Sequence, residues 1–386
     1  MRRRDPTGSL WPPEQPTLLL RAALLDDGPA AQAWNKLRRN LDLDHLAEGS
    51  YPIMPLIAAR MPVIGPNDSL TARINGLRRH SWYRNQLALD RLASVLRSLQ
   101  QVGIETMVLK GPAAATRYYS HLALRPVSEL DVMVHADSAP AALAALADAG
   151  WACVSQAPAS VLRRGAARFE DGDGQGCRLH WQMPPELLLA SSSASSADDF
   201  WDGAVPLQIG DVTTRALNPT DELLHVCTAG ATVDPRMHLQ WAADALMILR
   251  SAGAELDWAR LVDQARRRRS VLLLRDTLTY LRDALDAPIP SQVLARVDAL
   301  PVTRRDVFLY RAASQRSGPL GGLPATIALY ARQSEGEGPL AIALGIPRFL
   351  RDAWELEHLW EVPLSAARKG LRRIPSLQGS AAPRSR

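Results

Sequence analysis

The sequence predicts an α+β fold, with a small mixed β-sheet core flanked by helical regions on its N-terminal and C-terminal sides. Three observations carry this expectation. Apolar residues recur with helical spacing before Gly103 and again after Asn218. Between them, short runs with strand patterning alternate with turn signals. Two of those runs bracket a Gly-containing turn and a short helix in VLKGPAAATRYYSHLALRPVSELDVMV, Val108 to Val134. The expected organisation is therefore 1–84 as an N-terminal helical region, 85–217 as the α+β core, 218–375 as a C-terminal helical region and 376–386 as a disordered polar tail.

Each element has a local reason. In residues 84–100, Leu87, Leu92, Val95, Leu96 and Leu99 fall close to a 3.6-residue period, and Gly103 ends that helix. Glu105 to Leu109 reads as a strand entering the Lys110-Gly111 turn. After the second strand, Ser138 is placed to cap a helix running to Ala149. Trp151 to Ser155 and Arg178 to Met183 read as further strands, separated by the turn-forming run Asp171 to Gly176. Ser191 to Ser196 is expected to be a loop, and Val205 to Leu217 a hairpin turning at Gly210-Asp211. Asn218-Pro219-Thr220-Asp221 then starts a helical series, with expected helices at 238–251, 258–267, 271–285, 304–315 and 346–360.

The bulk numbers set bounds. At 386 residues, 47% hydrophobic and 22% charged, the chain has the composition of an ordinary globular protein with room for two or three domains. The formal charge of +5 is a mild excess, partly in short clusters such as Arg266 to Arg269. No basic, aromatic-rich surface pattern stands out, so nucleic acid is not an expected partner. Cys153, Cys177 and Cys227 lack metal-ligand spacing and suit thiols in a reducing compartment. No run reaches the roughly 18–20 apolar residues of a membrane span. Prolines 12, 13 and 16 interrupt any N-terminal signal core. A cytoplasmic location is expected.

The chemistry concentrates around Glu129 and Asp131. On a strand, residues two apart point to one side, so these carboxylates project together while Leu130, Val132 and Val134 face the opposite, apolar side. Adjacent carboxylates repel unless a cation lies between them, and a hard divalent ion carrying nucleotide phosphates suits such a pair. Lys110 and Gly111 end the preceding strand where backbone N–H groups and a lysine can meet phosphate. Arg125 is a candidate either for a triphosphate or for a bidentate clamp on Glu129. Of Tyr118 and Tyr119, at least one is expected in the core and the other to line the cleft. His180 and Arg178 share one face of a later strand, Leu179 and Trp181 the other. For His180, His225 and Asp244, structural roles compete with functional ones. No GxSxG, HExxH or paired CxxC motif is present.

These residues resemble the uncharacterised nucleotidyltransferase family of bacterial proteins, within the DNA polymerase β-like, minimal-nucleotidyltransferase superfamily. The resemblance rests on Leu109-Lys110-Gly111, Tyr118 or Tyr119, Arg125, Glu129-Leu130-Asp131 and Leu179-His180-Trp181, with His225, Trp241 and Asp244 in register downstream. It implies transfer of a nucleoside monophosphate from an NTP, with ATP the expected nucleotide, and Mg²⁺ (or Mn²⁺) on Glu129 and Asp131. Lys110, Gly111, Arg125, Tyr118 and His180 would then contact substrate or phosphate. The acceptor would be a small-molecule or protein hydroxyl, and the helical regions could engage a protein partner. Three positions depart from the family pattern: Glu129 where an Asp is usual, Pro112 after the turn glycine, and Arg178 where an acid is frequent. They keep a second reading open, a nucleotide- or partner-binding scaffold that has lost catalysis.

Overall fold

The computed structural model describes residues 11–46, 48–65, 69–155, 165–183, 195–232, 238–304 and 339–371 (Glu355 excepted), with a few positions between 304 and 339. The helices α1 (Glu14–Leu24), α2 (Asp27–Leu37) and α3 (Met54–Ile64) lead into the 33-residue α4 (Ser69–Gln101). Then come β1 (Thr106–Leu109), α5 (Gly111–Tyr118), β2 (Leu130–Val134), α6 (Ala139–Asp148), β3 (Ala152–Cys153), β4 (Ala166–Glu170) and β5 (Gly176–His180). After α7 (Ser195–Asp202), the hairpin β6 (Val205–Ile209) and β7 (Val212–Ala216) completes the sheet. The rest is helical: α8 (Pro219–Thr232), α9 (Gln240–Ser251), α10 (Trp258–Arg267), α11 (Val271–Leu285), α12 (Ser291–Asp298), α13 (Pro339–Ala353) and α14 (Glu361–Leu371).

The sheet is seven-stranded and mixed, in the order β3-β4-β5-β2-β1-β7-β6. The central strands β1 and β2 are antiparallel, β2 runs parallel to β5 and β1 parallel to β7. Every residue of β1 and β2 is buried, so alternation sorts side chains between two covered faces rather than between core and water. Val108, Leu130, Val132, Val134, Leu179 and Trp181 pack under Leu92, Val95, Leu96 and Leu99 of α4 and Ala142 and Leu146 of α6. Met107, Leu109 and Met133 instead join a larger core built from α1–α3 and α8–α12. The N-terminal and C-terminal helices therefore share one apolar core against the second face of the sheet.

Local departures have identifiable causes. Residues 84–100 form the second half of one continuous helix, and Leu87 is 37% exposed, outside the apolar stripe. Ser138 occupies the N-cap position of α6, but its side chain makes no capping bond. Instead, a 3₁₀ turn at Ala136–Ser138 leads into the helix, with Pro140 in its first turn. Within the expected serine-rich loop, residues 195 and 196 already belong to α7, and residues 191–194 lie outside the described residues. The helix expected at 346–360 begins earlier, at Pro339, and ends at Ala353. Most of the helix expected at 304–315 and the whole of the tail 376–386 lie outside the described residues.

One buried side chain braces the approach to β2. Asn85, with no exposed surface, donates to the carbonyls of Leu122 and Arg125, while its Oδ1 accepts from Val127 N–H at 2.8 Å. It gives the irregular segment 122–127 the backbone partners that a ladder would otherwise supply. Replacing it by alanine strands those groups. We predict that Asn85→Ala loses about 3 kcal/mol of stability in urea unfolding, whereas an exposed change on the same helix, Gln86→Ala, stays within about 0.5 kcal/mol.

Candidate functional site

The site lies where the C-terminal end of β1 meets the N-terminal end of β2 and the second half of β5, Arg178 to His180. Leu109 pairs with Asp131 across β1 and β2, and Asp131 lies beside Arg178 across β2 and β5. Because Leu130 and Val132 are committed to the α4 face, Asp131 must point to the other face, along with Arg178 and His180. Asp131 has no exposed surface. Its Oδ1 is 2.7 Å from His180 Nε2, 3.4 Å from Lys110 Nζ and 3.5 Å from Arg178 Nη1. Burial alone would raise its pKa, but the His180 hydrogen bond and the charges of Lys110 and Arg178 hold the carboxyl well below the usual carboxylate range. Its Oδ2 is buried and has no partner among the described residues.

Glu129 precedes β2 by one residue and its side chain is 55% exposed. It shares a neighbour with Asp131, since Arg178 Nη2 lies 3.5 Å from Glu129 Oε1. The two carboxylates thus meet on one side, as strand alternation predicts, with a guanidinium between them. Lys110 reaches this point through an uncommon backbone conformation, φ 57° and ψ −129°, as the residue capping α5. Such a conformation in a non-glycine residue costs about 1–3 kcal/mol and is held by its surroundings. Pro112 follows in the first turn of α5, where a missing N–H leaves no helical bond unmade.

Arg125 takes a different partner from those the sequence offered. Its Nε and Nη2 form a bidentate pair with Asp244 of α9 at 3.2 and 2.8 Å, and Nη1 donates to the Pro126 carbonyl at 2.8 Å. It does not clamp Glu129. Gly111 is required by this arrangement, because a Cβ there would come within 2.5 Å of Arg125 Nη1. Tyr119 also donates to Asp244, at 2.6 Å, and Gln240 donates to the same oxygen at 2.9 Å. Both tyrosines are in the core, Tyr118 at 7% and Tyr119 at 8% exposure, so neither forms an open cleft wall. Asp171 and Asp173 are tied to Arg91 of α4 at 2.9 and 2.6 Å and do not join Asp131.

Asp131, Glu129, Lys110, Arg178 and His180 therefore converge, while Arg125 packs against Gly111 beside the turn and Tyr118 lies in the helical core. Among the described residues, no group of three or more His, Cys, Asp or Glu side chains could hold a metal ion. A Mg²⁺ ion does not need such a cage: it is commonly held by one or two carboxylates, with waters and substrate phosphates completing the octahedron. The unpartnered Oδ2 of Asp131 and the exposed Glu129 carboxylate suit a single ion of that kind.

Glu222 carries no distinguishing mark in the sequence. It sits on α8 without exposed surface, and neither carboxylate oxygen has a hydrogen-bond partner among the described residues. Nothing marked it, because Glu in the first turn of a helix ordinarily faces solvent. Burial pushes its pKa up to about 7, against the opposing charges of His225 and Arg117. Between the ordinary value of 4.5 and about 7, the unfolded chain ionises here while the folded chain keeps its proton. Stability is therefore complete below that interval and falls as pH rises through it, by roughly 3 kcal/mol in all. We predict that Glu222→Gln removes this fall, so that urea unfolding at pH 8 finds the variant more stable than the parent chain while the two agree more closely at pH 4.5. An unchanged pH slope would contradict the assignment.

Residues 53–286, more than half of the chain, match the family model described as an uncharacterised nucleotidyltransferase. The matched span includes every residue of the site. No curated protein matches the chain.

Proposed function

Because the chain belongs to the uncharacterised nucleotidyltransferase family, and membership supports a nucleotidyltransferase-type function, we propose that it moves a nucleoside monophosphate from an NTP to a small-molecule or protein hydroxyl. ATP is the nucleotide we expect. The observation that carries the reading is Asp131, a fully buried carboxylate with one oxygen held by His180 and the other left without a partner among the described residues. A buried acceptor is ordinarily satisfied, so an orphan oxygen calls for a ligand.

Glu129 and Asp131 would hold Mg²⁺, which on binding would neutralise phosphate charge as the reaction proceeds. His180 fixes the Asp131 carboxylate through Oδ1 and leaves Oδ2 free to ligate. Lys110 is 26% exposed and near enough to Asp131 to serve both the carboxylate and an incoming phosphate. Arg125 and Asp244 set the backbone around Gly111, keeping the turn close-packed. In the transfer, the acceptor oxygen bonds to the α-phosphorus as its bond to the bridging oxygen breaks. Pyrophosphate leaves with that electron pair, and the hydroxyl proton passes to water.

The scaffold alternative draws on Arg178, whose guanidinium lies against both carboxylates. Calorimetry separates the readings. We expect ATP to bind with Mg²⁺ present and to lose at least tenfold in affinity in Asp131→Asn, which keeps the shape but removes the charge. Absence of binding for ATP, GTP, CTP and UTP alike would overturn the transferase reading and favour a scaffold. The described residues contain no helix long and apolar enough to cross a membrane.

A further inference from the structure

The most unusual component of the site is a cation. Arg178 stands beside Asp131 in the β2–β5 register, and its Nη1 and Nη2 approach Asp131 and Glu129 at 3.5 Å each. Closed charge-assisted pairs sit at about 2.7–2.9 Å. The guanidinium thus spans both carboxylates without closing on either, and its side chain is 36% exposed. Its planar fork of donors matches phosphate geometry.

A second observation points the same way. On the other side of Arg178, across the antiparallel β4–β5 pair, lies Arg168. Ala167, Phe169, Cys177 and Leu179 face the α4 core, which puts Arg168 on the same face as Arg178 and Asp131. Like charges directly opposite one another weaken a sheet, by about 0.2–1 kcal/mol per pair. Arg168 is met by Glu170 at 3.4 Å, yet its side chain stays 60% exposed. The row Asp131, Arg178, Arg168 therefore places two arginines side by side on one face of the sheet at the edge of the site, an arrangement that an anion would relieve.

The supply of carboxylates sets the remaining condition. Two-ion phosphoryl-transfer sites hold their metals about 3.5–4 Å apart and need oxygen ligands for both. Among the described residues, Glu129 and Asp131 are the acids at the site, while Asp171 and Asp173 are engaged with Arg91. Their two negative charges are formally matched by Lys110 and Arg178. Replacing Arg178 by an acid would make the site more negative by two charges, the charge of one divalent ion.

Resting on the transferase reading above, we propose that Arg178 is the second cation of this site: a single divalent ion would accompany the triphosphate on Glu129 and Asp131, and the Arg178 guanidinium binds a phosphate oxygen in place of a second ion. Arg178 is thus a phosphate-binding residue, and the site is a one-ion site.

The test uses the full chain with a non-hydrolysable ATP analogue and Mn²⁺. Electron paramagnetic resonance counts bound Mn²⁺ at saturating analogue, and calorimetry gives analogue affinity with the metal and in EDTA. The expected count is one Mn²⁺ per chain. Arg178→Ala should weaken analogue binding about ten- to hundredfold, Arg178→Lys should recover part of that loss, and Arg178→Asp should raise the count to two. Two Mn²⁺ per chain in the parent protein, or unchanged affinity in a folded Arg178→Ala, would overturn the proposal while leaving the transferase reading intact. Failure of the parent chain to bind the analogue under any condition would remove both.

Discussion

A carboxylate without exposed surface, Asp131, is the constraint around which the centre of this protein is arranged. An ionised side chain at that depth loses several kcal/mol of hydration, and removing one partner of such a buried pair costs about 3–5 kcal/mol. The fold meets this cost by converging three residues on one oxygen: His180 from the end of β5, Arg178 from the middle of the same strand and Lys110 just past the end of β1. That convergence requires β2 to lie between β1 and β5, as it does in the sheet order. It also accounts for the strained φ of 57° at Lys110, which holds the residue at the point where strand becomes helix. The second oxygen is buried as well and has no partner among the described residues.

Behind this point stands a second ion pair with a different task. Arg125 and Asp244 join the loop before β2 to helix α9, which belongs to the larger helical core. Tyr119 and Gln240 satisfy the same carboxylate, and burial with Asp244 close by raises the Tyr119 pKa well above its ordinary value. The pair is bidentate and almost fully enclosed, so it positions the Lys110-Gly111 turn through the contact between Gly111 and the guanidinium. Asn85 secures the same loop from the α4 side. The site is thus suspended between two cores on opposite faces of the sheet, each contributing one polar anchor.

How much of this was legible in the sequence depends on the range of the interaction. Strand alternation correctly placed Asp131 opposite Leu130 and Val132, and the same rule put Arg178 with His180. Those are local consequences of backbone geometry. The hairpin at Gly210 and the helices Trp258–Arg267 and Val271–Leu285 were readable for the same reason. The partner of Arg125 was not, because Asp244 lies 119 residues away and only the packing of α9 against α5 brings them together. The burial of both Tyr118 and Tyr119 was hidden likewise: periodicity cannot reveal that a helix is covered on two sides. Glu222 escaped notice because its sequence context, the first turn of a helix, is where an exposed acid is commonplace.

The proposed transferase chemistry requires Asp131 Oδ2 to be a ligand atom. Crystals grown with Mn²⁺ and a non-hydrolysable ATP analogue, with data collected near the manganese edge, test this directly. One anomalous peak within about 2.0–2.3 Å of Asp131 Oδ2, shared with a phosphate oxygen, is the predicted result. A nucleotide bound with its phosphates away from Asp131, or manganese bound elsewhere while Oδ2 stays without a ligand, would contradict it.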